Sequence, residues 1–339
     1  MLECARRVWP LAAGKRIFLT GATGFVGKWM LEALLRANDE YGLGCKVSVL
    51  TRNPQAFIQA APHLANHSIV TLLQGDVLNL DHLNRQSWDC FVHAATDVAA
   101  ATSPSQHLDV FDVNVIGTRN VLELARKCQA EHVLLTSSGA VYGKVPSDLV
   151  LTPEDYPGAP STLELSSGYG VGKRSAEWLA SAYADCFNVP TRIARIYALV
   201  GPYLATDKHF AIGNFIGDKL AGRSIVLKGD GTPHRSYMYA ADLAVWLWTI
   251  LFQGQTRQAY NVGSDASLSL ADVARKVASA SGPSVDVQIL KVAAPGGPVE
   301  RYAPDITKAR TDLDVSIHVA IEDAIERTLA WHRSSFNSQ

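Results

Sequence analysis

Tyr169 and Lys173 stand four residues apart in Tyr169-Gly170-Val171-Gly172-Lys173. At that spacing two side chains share one face of a helix. A phenol with an ordinary pKa of about 10 is a poor base near neutral pH. An ammonium beside it stabilises the phenolate and draws that pKa down. Earlier in the chain an apolar run, His132–Thr136, ends in Ser137-Ser138. A hydroxyl at such a strand end can hold a substrate oxygen. Phenol, ammonium and hydroxyl together make a proton relay for a carbinol–ketone pair, provided a hydride carrier lies alongside.

The elements that position these groups are legible upstream. Lys15–Lys28, KRIFLTGATGFVGK, reads as a strand (Ile17–Thr20), a glycine turn and a helix start. Gly21, Gly24 and Gly27 are spaced G-x-x-G-x-x-G. Glycine permits a positive φ and a bare backbone, and a helix N-terminus attracts a pyrophosphate. The pattern predicts a dinucleotide at the first βα turn of a parallel sheet; an ordinary glycine-rich turn is the plainer alternative. Further strands are expected at Cys45–Leu50, Ile69–Leu73, Cys90–His93 and Pro190–Tyr197, the last finishing the sheet. After the second strand, Thr51-Arg52 stands where an acidic residue usually grips the ribose of NAD. Arginine suits a 2′-phosphate, which favours NADP, with NAD as the alternative and a solvated, adenine-stacking Arg52 as the plainer reading. Asp76, before Val77, can meet the adenine amino group or serve as a turn residue. Ala94, Ala95 and Thr96 are small enough for a cofactor to lie against the backbone, and His93 reads as a packed strand residue. Asn114, within a predicted helix, is a poor helix former there, which points to a buried polar task or a bond to nearby backbone.

Composition bounds the remaining classes. The chain has 339 residues, 47% hydrophobic and 19% charged, with a net charge of −1. That describes an ordinary globular protein with ample core and no nucleic-acid footprint. Five scattered cysteines without a C-x-x-C fit reduced thiols in a cytoplasmic enzyme, and no spacing suits a metal. Residues 1–14 lack the apolar run of a signal peptide, and no apolar stretch is long enough to span a bilayer.

These motifs resemble the extended short-chain dehydrogenases/reductases of the NAD-dependent epimerase/dehydratase type, which act on nucleotide sugars. The resemblance runs over residues 15–335. Thr20–Gly27 (TGATGFVG) matches the nucleotide motif and carries Thr23, Phe25 and Val26 with the glycines as cofactor-binding residues. Gly75–Asp81 matches the adenine segment, and Asn114–Thr118 the helix of the active-site Asn. Ser137–Gly143 (SSGAVYG) and Tyr169–Lys173 match the catalytic serine and Tyr/Lys pair, with Ser138 as the catalytic and substrate-holding hydroxyl. Gly229–Ala244 resembles the diphosphate-binding segment, Arg235 falling on its phosphate arginine, and Tyr260–Asp265 and Asp305–Ala309 resemble later landmarks.

Two departures shape the expectation. In the family's 4,6-dehydratases the catalytic hydroxyl is followed by Asp-Glu, which eliminate water; here Gly139-Ala140 follow and move no proton. Ala198 stands at the position of a usual substrate-binding Asn. Gly170 and Gly172 cost about 1 kcal/mol each in a helix interior, and relieve crowding or mark a kink.

The resemblance implies a Rossmann-type doubly wound α/β sheet with a smaller C-terminal α/β substrate lobe. Residues 15–198, with 235–253 returning, form the dinucleotide domain; 199–234 and 254–335 form the lobe, with His209 and Asn214 as candidates to face the substrate. The expected activity is hydride transfer at a carbinol or ketone, C4 of a nucleotide-linked hexose. Arg52 and the missing Asp-Glu favour a 4-ketoreductase over a 4-epimerase with tightly bound NAD. The rivals are a dehydrogenase of a free small alcohol and a non-catalytic dinucleotide sensor. A homodimer through the helices around Asn114 and Tyr169 is implied by the family.

Overall fold

The structure, a computed structural model, describes residues 2–96, 104–207, 210–294 and 296–336. β1 (Arg16–Thr20) turns into α1 (Phe25–Tyr41), and β2 (Lys46–Thr51) leads through α2 (Pro54–Ala60) and α3 (Pro62–Ala65) to β3 (Val70–Gln74). After β4 (Cys90–His93), α4 (Pro104–Asp112) passes through a π-helical turn, Val113–Gly117, into α5 (Thr118–Lys127). β5 (His132–Ser138), the long α6 (Gly168–Phe187) and β6 (Thr191–Ile196) follow. The next stretch holds β7 (Leu199–Val200), α7 (Ala211–Leu220), β8 (Ile225–Leu227), β9 (His234–Ser236), β10 (Met238–Tyr239) and α8 (Ala240–Gln253). The remainder holds β11 (Ala259–Val262), β12 (Ser267–Ser269), α9 (Leu270–Ser279), β13 (Val287–Ile289), β14 (Arg301–Tyr302), α10 (Thr307–Leu313) and α11 (Ile321–Phe336).

The main sheet has seven parallel strands in the order β11-β6-β5-β4-β1-β2-β3. The order reverses between β1 and β4, and ligands of such sheets bind at the carboxyl ends beside that reversal. Central strands carry apolar runs on both faces, such as Ile17-Phe18-Leu19 and Val133-Leu134-Leu135, because helices cover both sides. Ile17 and Leu19 face one core, shared with α1 and α8, while Phe18 and Phe91 face a second, shared with α5 and α6. The aromatics of α8 are core: Trp246 and Trp248 are fully buried, and their indole N–H groups donate to the carbonyls of Ser316 and Met30.

The sheet does not end at its sixth strand, as the sequence suggested. β11 adds a seventh, and α10 packs over it with Ala309 and Leu313 in the main core. Four residues are too few for a periodic signal, and their burial comes from distant α10. Residues 259–262 and 307–313 therefore belong with the main unit. The smaller lobe comprises the three-stranded sheet β12-β9-β14, the pair β13-β8, and α7, α9 and α11 around Ile212, Ile216, Val273, Val277 and Leu329.

The first residues are part of this core. Ala5, Val8, Trp9 and Ala12 are buried, and the Trp9 ring lies 6.3 Å from that of Trp248. Trp9→Ala should cost about 3–5 kcal/mol, read as a lowered midpoint in urea unfolding with an unchanged slope. A wild-type midpoint would mean that the segment is an appendage. No described helix is long and apolar enough to cross a membrane.

Candidate active site

The glycine turn divides its work among three positions. Gly21 has φ +74°, and a Cβ there would meet the Ala94 carbonyl carbon at 2.4 Å. Gly27 lets α1 press on the turn, since its Cβ would fall on the Gly21 oxygen and on Cα of Ala22. Gly24 caps α1 in extended conformation and meets nothing nearer than 3.4 Å. Two glycines thus close the turn, and the third leaves open backbone beside the first-turn amides of α1. The cradle fits a pyrophosphate. Of the predicted contacts here, Thr23 is exposed, whereas Phe25 packs on the lobe core and Val26 on the main core, leaving their backbones for a ligand.

Opposite the turn, the Ala95 amide donates to Thr20 Oγ1 (3.2 Å), which also lies 2.8 Å from His93 Nδ1. Burial lowers the His93 pKa to about 3, so it is a neutral packed residue. Arg52 is exposed just past β2. Asp76 accepts from the Leu78 amide at 2.9 Å, and Val77 is buried beneath Gly117.

Ser138, Tyr169 and Lys173 come together at the carboxyl end of β5. Ser138 is buried, and its Oγ accepts from the Ala140 amide at 3.2 Å, capping the turn Gly139–Tyr142. Lys173 is buried; its Nζ donates to the Thr136 carbonyl at 2.8 Å and lies 5.9 Å from the centre of the Tyr169 ring. Burial lowers the Lys173 pKa to about 7, against a smaller upward pull from Glu177. The Tyr169 phenol differs from expectation: burial pushes its pKa well up, and the adjacent Ser138 hydroxyl opposes that only in part. The ammonium is held against backbone below the ring, so desolvation of the phenol wins.

Asn114 sits on the π-helical turn, buried, donating to the Val110 carbonyl at 2.8 Å and accepting from Thr96 Oγ1 at 3.1 Å. A π turn widens the helix locally and is frequent at functional sites. The α6 glycines are packing devices. A Cβ at Gly170 would meet the Ala140 carbonyl oxygen at 2.8 Å, and one at Gly172 would meet Asn114 Cβ at 3.2 Å. α6 runs through both positions from Gly168 to Phe187.

Beneath the serines lies a network that sequence reasoning missed. Ser137 Oγ donates to Glu177 Oε1 at 2.5 Å, and Arg195 binds both Glu177 oxygens. Arg195 also donates to the Tyr142 hydroxyl (2.8 Å), which donates to Asn261 on β11 (2.8 Å). This ties β5, α6, β6 and β11 together beneath Ser138. The available signal was Glu177, four residues beyond Lys173 on the same helix face, where a carboxylate is buried only if paired.

From the lobe, Arg235 on β9 donates to Glu300 at 2.5 Å and holds its guanidinium 5.8 Å from the ring of Tyr302, its register partner on β14. The Tyr302 hydroxyl is 3.3 Å from Ser138 Oγ. Arg235 is thus one residue removed from Ser138. Asn214 is exposed on α7 and is not brought into this cluster; His209 lies outside the described residues.

A family model described as the NAD dependent epimerase/dehydratase family matches residues 17–263. UDP-glucuronic acid decarboxylase 5 of Arabidopsis thaliana is 27% identical over 316 residues, covering 91% of this chain and 87% of that one. The crystal structure of UDP-glucose 4-epimerase from Thermotoga maritima with UDP-glucose is similar at TM-score 0.82 and 20% identity, covering 95% of this chain and 99% of that one. That of dTDP-glucose 4,6-dehydratase from Bacillus anthracis in complex with NAD is similar at TM-score 0.79 and 22% identity, covering 95% and 98%.

Proposed function

Because the chain belongs to the NAD dependent epimerase/dehydratase family, we propose that it moves a hydride at a carbinol or ketone carbon of a nucleotide-linked sugar, at C4 of a hexose. The reading rests above all on Ser138, Tyr169 and Lys173 meeting at the carboxyl edge of the sheet, with Gly139-Ala140 beside them. The dinucleotide, when bound, supplies or accepts the hydride. Tyr169 exchanges the proton of the sugar oxygen, Ser138 donates a hydrogen bond to it, and Lys173 sets the charge beneath the phenol. Arg235 meets the diphosphate, exchanging its exposed partner Glu300 for a phosphate oxygen. Elimination of water is disfavoured, because no acidic side chain follows Ser138.

Within this chemistry the favoured outcome is a 4-ketoreductase that consumes NADPH. Exposed Arg52 suits a 2′-phosphate, and Gly139-Ala140 stand where an Asp-Glu pair would follow the serine. Arg52→Ala should lower the preference for NADPH over NADH by about 10-fold, measured by fluorescence titration of both cofactors. An unchanged ratio would remove the NADP assignment.

A second reading, return of the hydride within one turnover, is favoured by the decarboxylase and epimerase among the relatives. Such an enzyme keeps NAD. The deciding experiment releases the purified protein's cofactor by denaturation and identifies it by mass. Stoichiometric NAD supports the second reading. An empty protein that oxidises NADPH with 4-keto nucleotide sugars supports the first. A homodimer belongs to either reading, since Leu108 on α4 and Trp178 on α6 are apolar side chains left exposed on neighbouring helices.

A further inference from the structure

We propose that Tyr302, carried by the lobe, is a positioning residue that aims the Ser138 proton at the substrate oxygen. The inference rests on the reading of Ser138, Tyr169 and Lys173 as an oxidoreductase centre. It starts from a hydrogen-bond inventory. A serine hydroxyl has one proton to donate and two lone pairs with which to accept. The Ala140 amide already occupies one lone pair of Ser138 Oγ, at 3.2 Å. The Tyr302 hydroxyl lies 3.3 Å from the same oxygen. Burial pushes the Tyr302 pKa up and keeps the phenol protonated. Either hydroxyl of this pair can donate, and in the proposed arrangement Tyr302 is the donor to Ser138. Both lone pairs of Ser138 are then taken, and its own proton turns to the side of Tyr169, whose hydroxyl it meets unless a substrate oxygen lies between the two.

The surroundings hold Tyr302 in this role. Its ring centre lies 4.5 Å from that of Tyr197, which follows β6. The Tyr197 ring stands under residue 139, where a Cβ would meet it at 2.7 Å. Glycine at 139 therefore does more than omit an acid: it makes room for the aromatic pair that delivers the Tyr302 hydroxyl. Arg235, opposite Tyr302 in register, places the proposed diphosphate contact on the same strand pair. Engagement of the diphosphate and orientation of Ser138 thus share one small sheet. The oxygen-binding corner consists of neutral hydroxyls, which suits a carbinol or ketone.

The test is a double-mutant cycle. Tyr302→Phe keeps the ring against Tyr197 and under Arg235 and removes one hydroxyl. It should lower kcat about 10-fold, with KM and cofactor affinity within about 2-fold and the melting temperature unchanged. In a Ser138→Ala background the same change should have no further effect, because the proton it orients is gone. The cycle is run on whichever carbinol or ketone the wild type turns over. Full activity of Tyr302→Phe, or losses that multiply with those of Ser138→Ala, would overturn the role of Tyr302 alone. A wild type that turns over no such compound overturns the oxidoreductase reading itself, and the inference with it.

Discussion

Tyr169→Phe should leave a folded protein that binds its dinucleotide normally and turns over about 1,000-fold more slowly. The ring is retained on α6, so its packing and the cation beneath it survive. What is lost is the hydroxyl beside Ser138 that, on the proposed reading, exchanges a proton with the substrate oxygen. The loss should fall on kcat, with cofactor affinity and melting temperature close to wild type. The result separates the enzyme from its rival of another class. A dinucleotide sensor needs the glycine cradle and not the phenol, so its function would survive the change. Undiminished turnover would mean that proton transfer runs through another group, and the assignment of the whole centre would fall.

The parts of this site that were legible in the sequence are those encoded over a few residues. The glycine turn is a local demand of a strand entering a helix, and Gly21 and Gly27 each have a geometric reason in the backbone they would otherwise strike. Tyr169 and Lys173 are fixed by helical spacing, and Ser138 by its strand end. The parts that were hidden depend on partners far along the chain. Tyr302 reaches Ser138 across 164 positions, and Tyr142 reaches Asn261 across 119. Neither pairing leaves a period or a spacing. β11 escaped for the same reason, since it is a strand only because β6 and α10 lie on either side. The Tyr169 pKa was misjudged on a further ground. The sequence shows that an ammonium is near the phenol, but not that both are buried, and burial acts on the two in opposite directions.

That opposition gives the other large effect. Lys173→Met should reduce turnover by about 100- to 10,000-fold and yet make the ligand-free protein more stable at neutral pH. The Lys173 side chain is buried, and its pKa falls to about 7, whereas in the unfolded chain it returns to about 10.4. Below the native value the folded protein must carry a charge in a desolvated place. Between about 7 and about 10 the unfolded chain holds a proton that the native protein lacks, so the stability of the wild type rises with pH across that window. Methionine has neither charge nor titration. Its advantage should therefore be greatest at and below pH 7 and shrink as the pH is raised towards 10. Melting curves of both proteins across this range would show the two converging. A variant less stable than the wild type at every pH would mean that the bond from Nζ to the Thr136 carbonyl, at 2.8 Å, outweighs the cost of burying the amine. Convergence, together with lost turnover, would show that the fold carries a destabilising cation under the phenol because the chemistry needs it there.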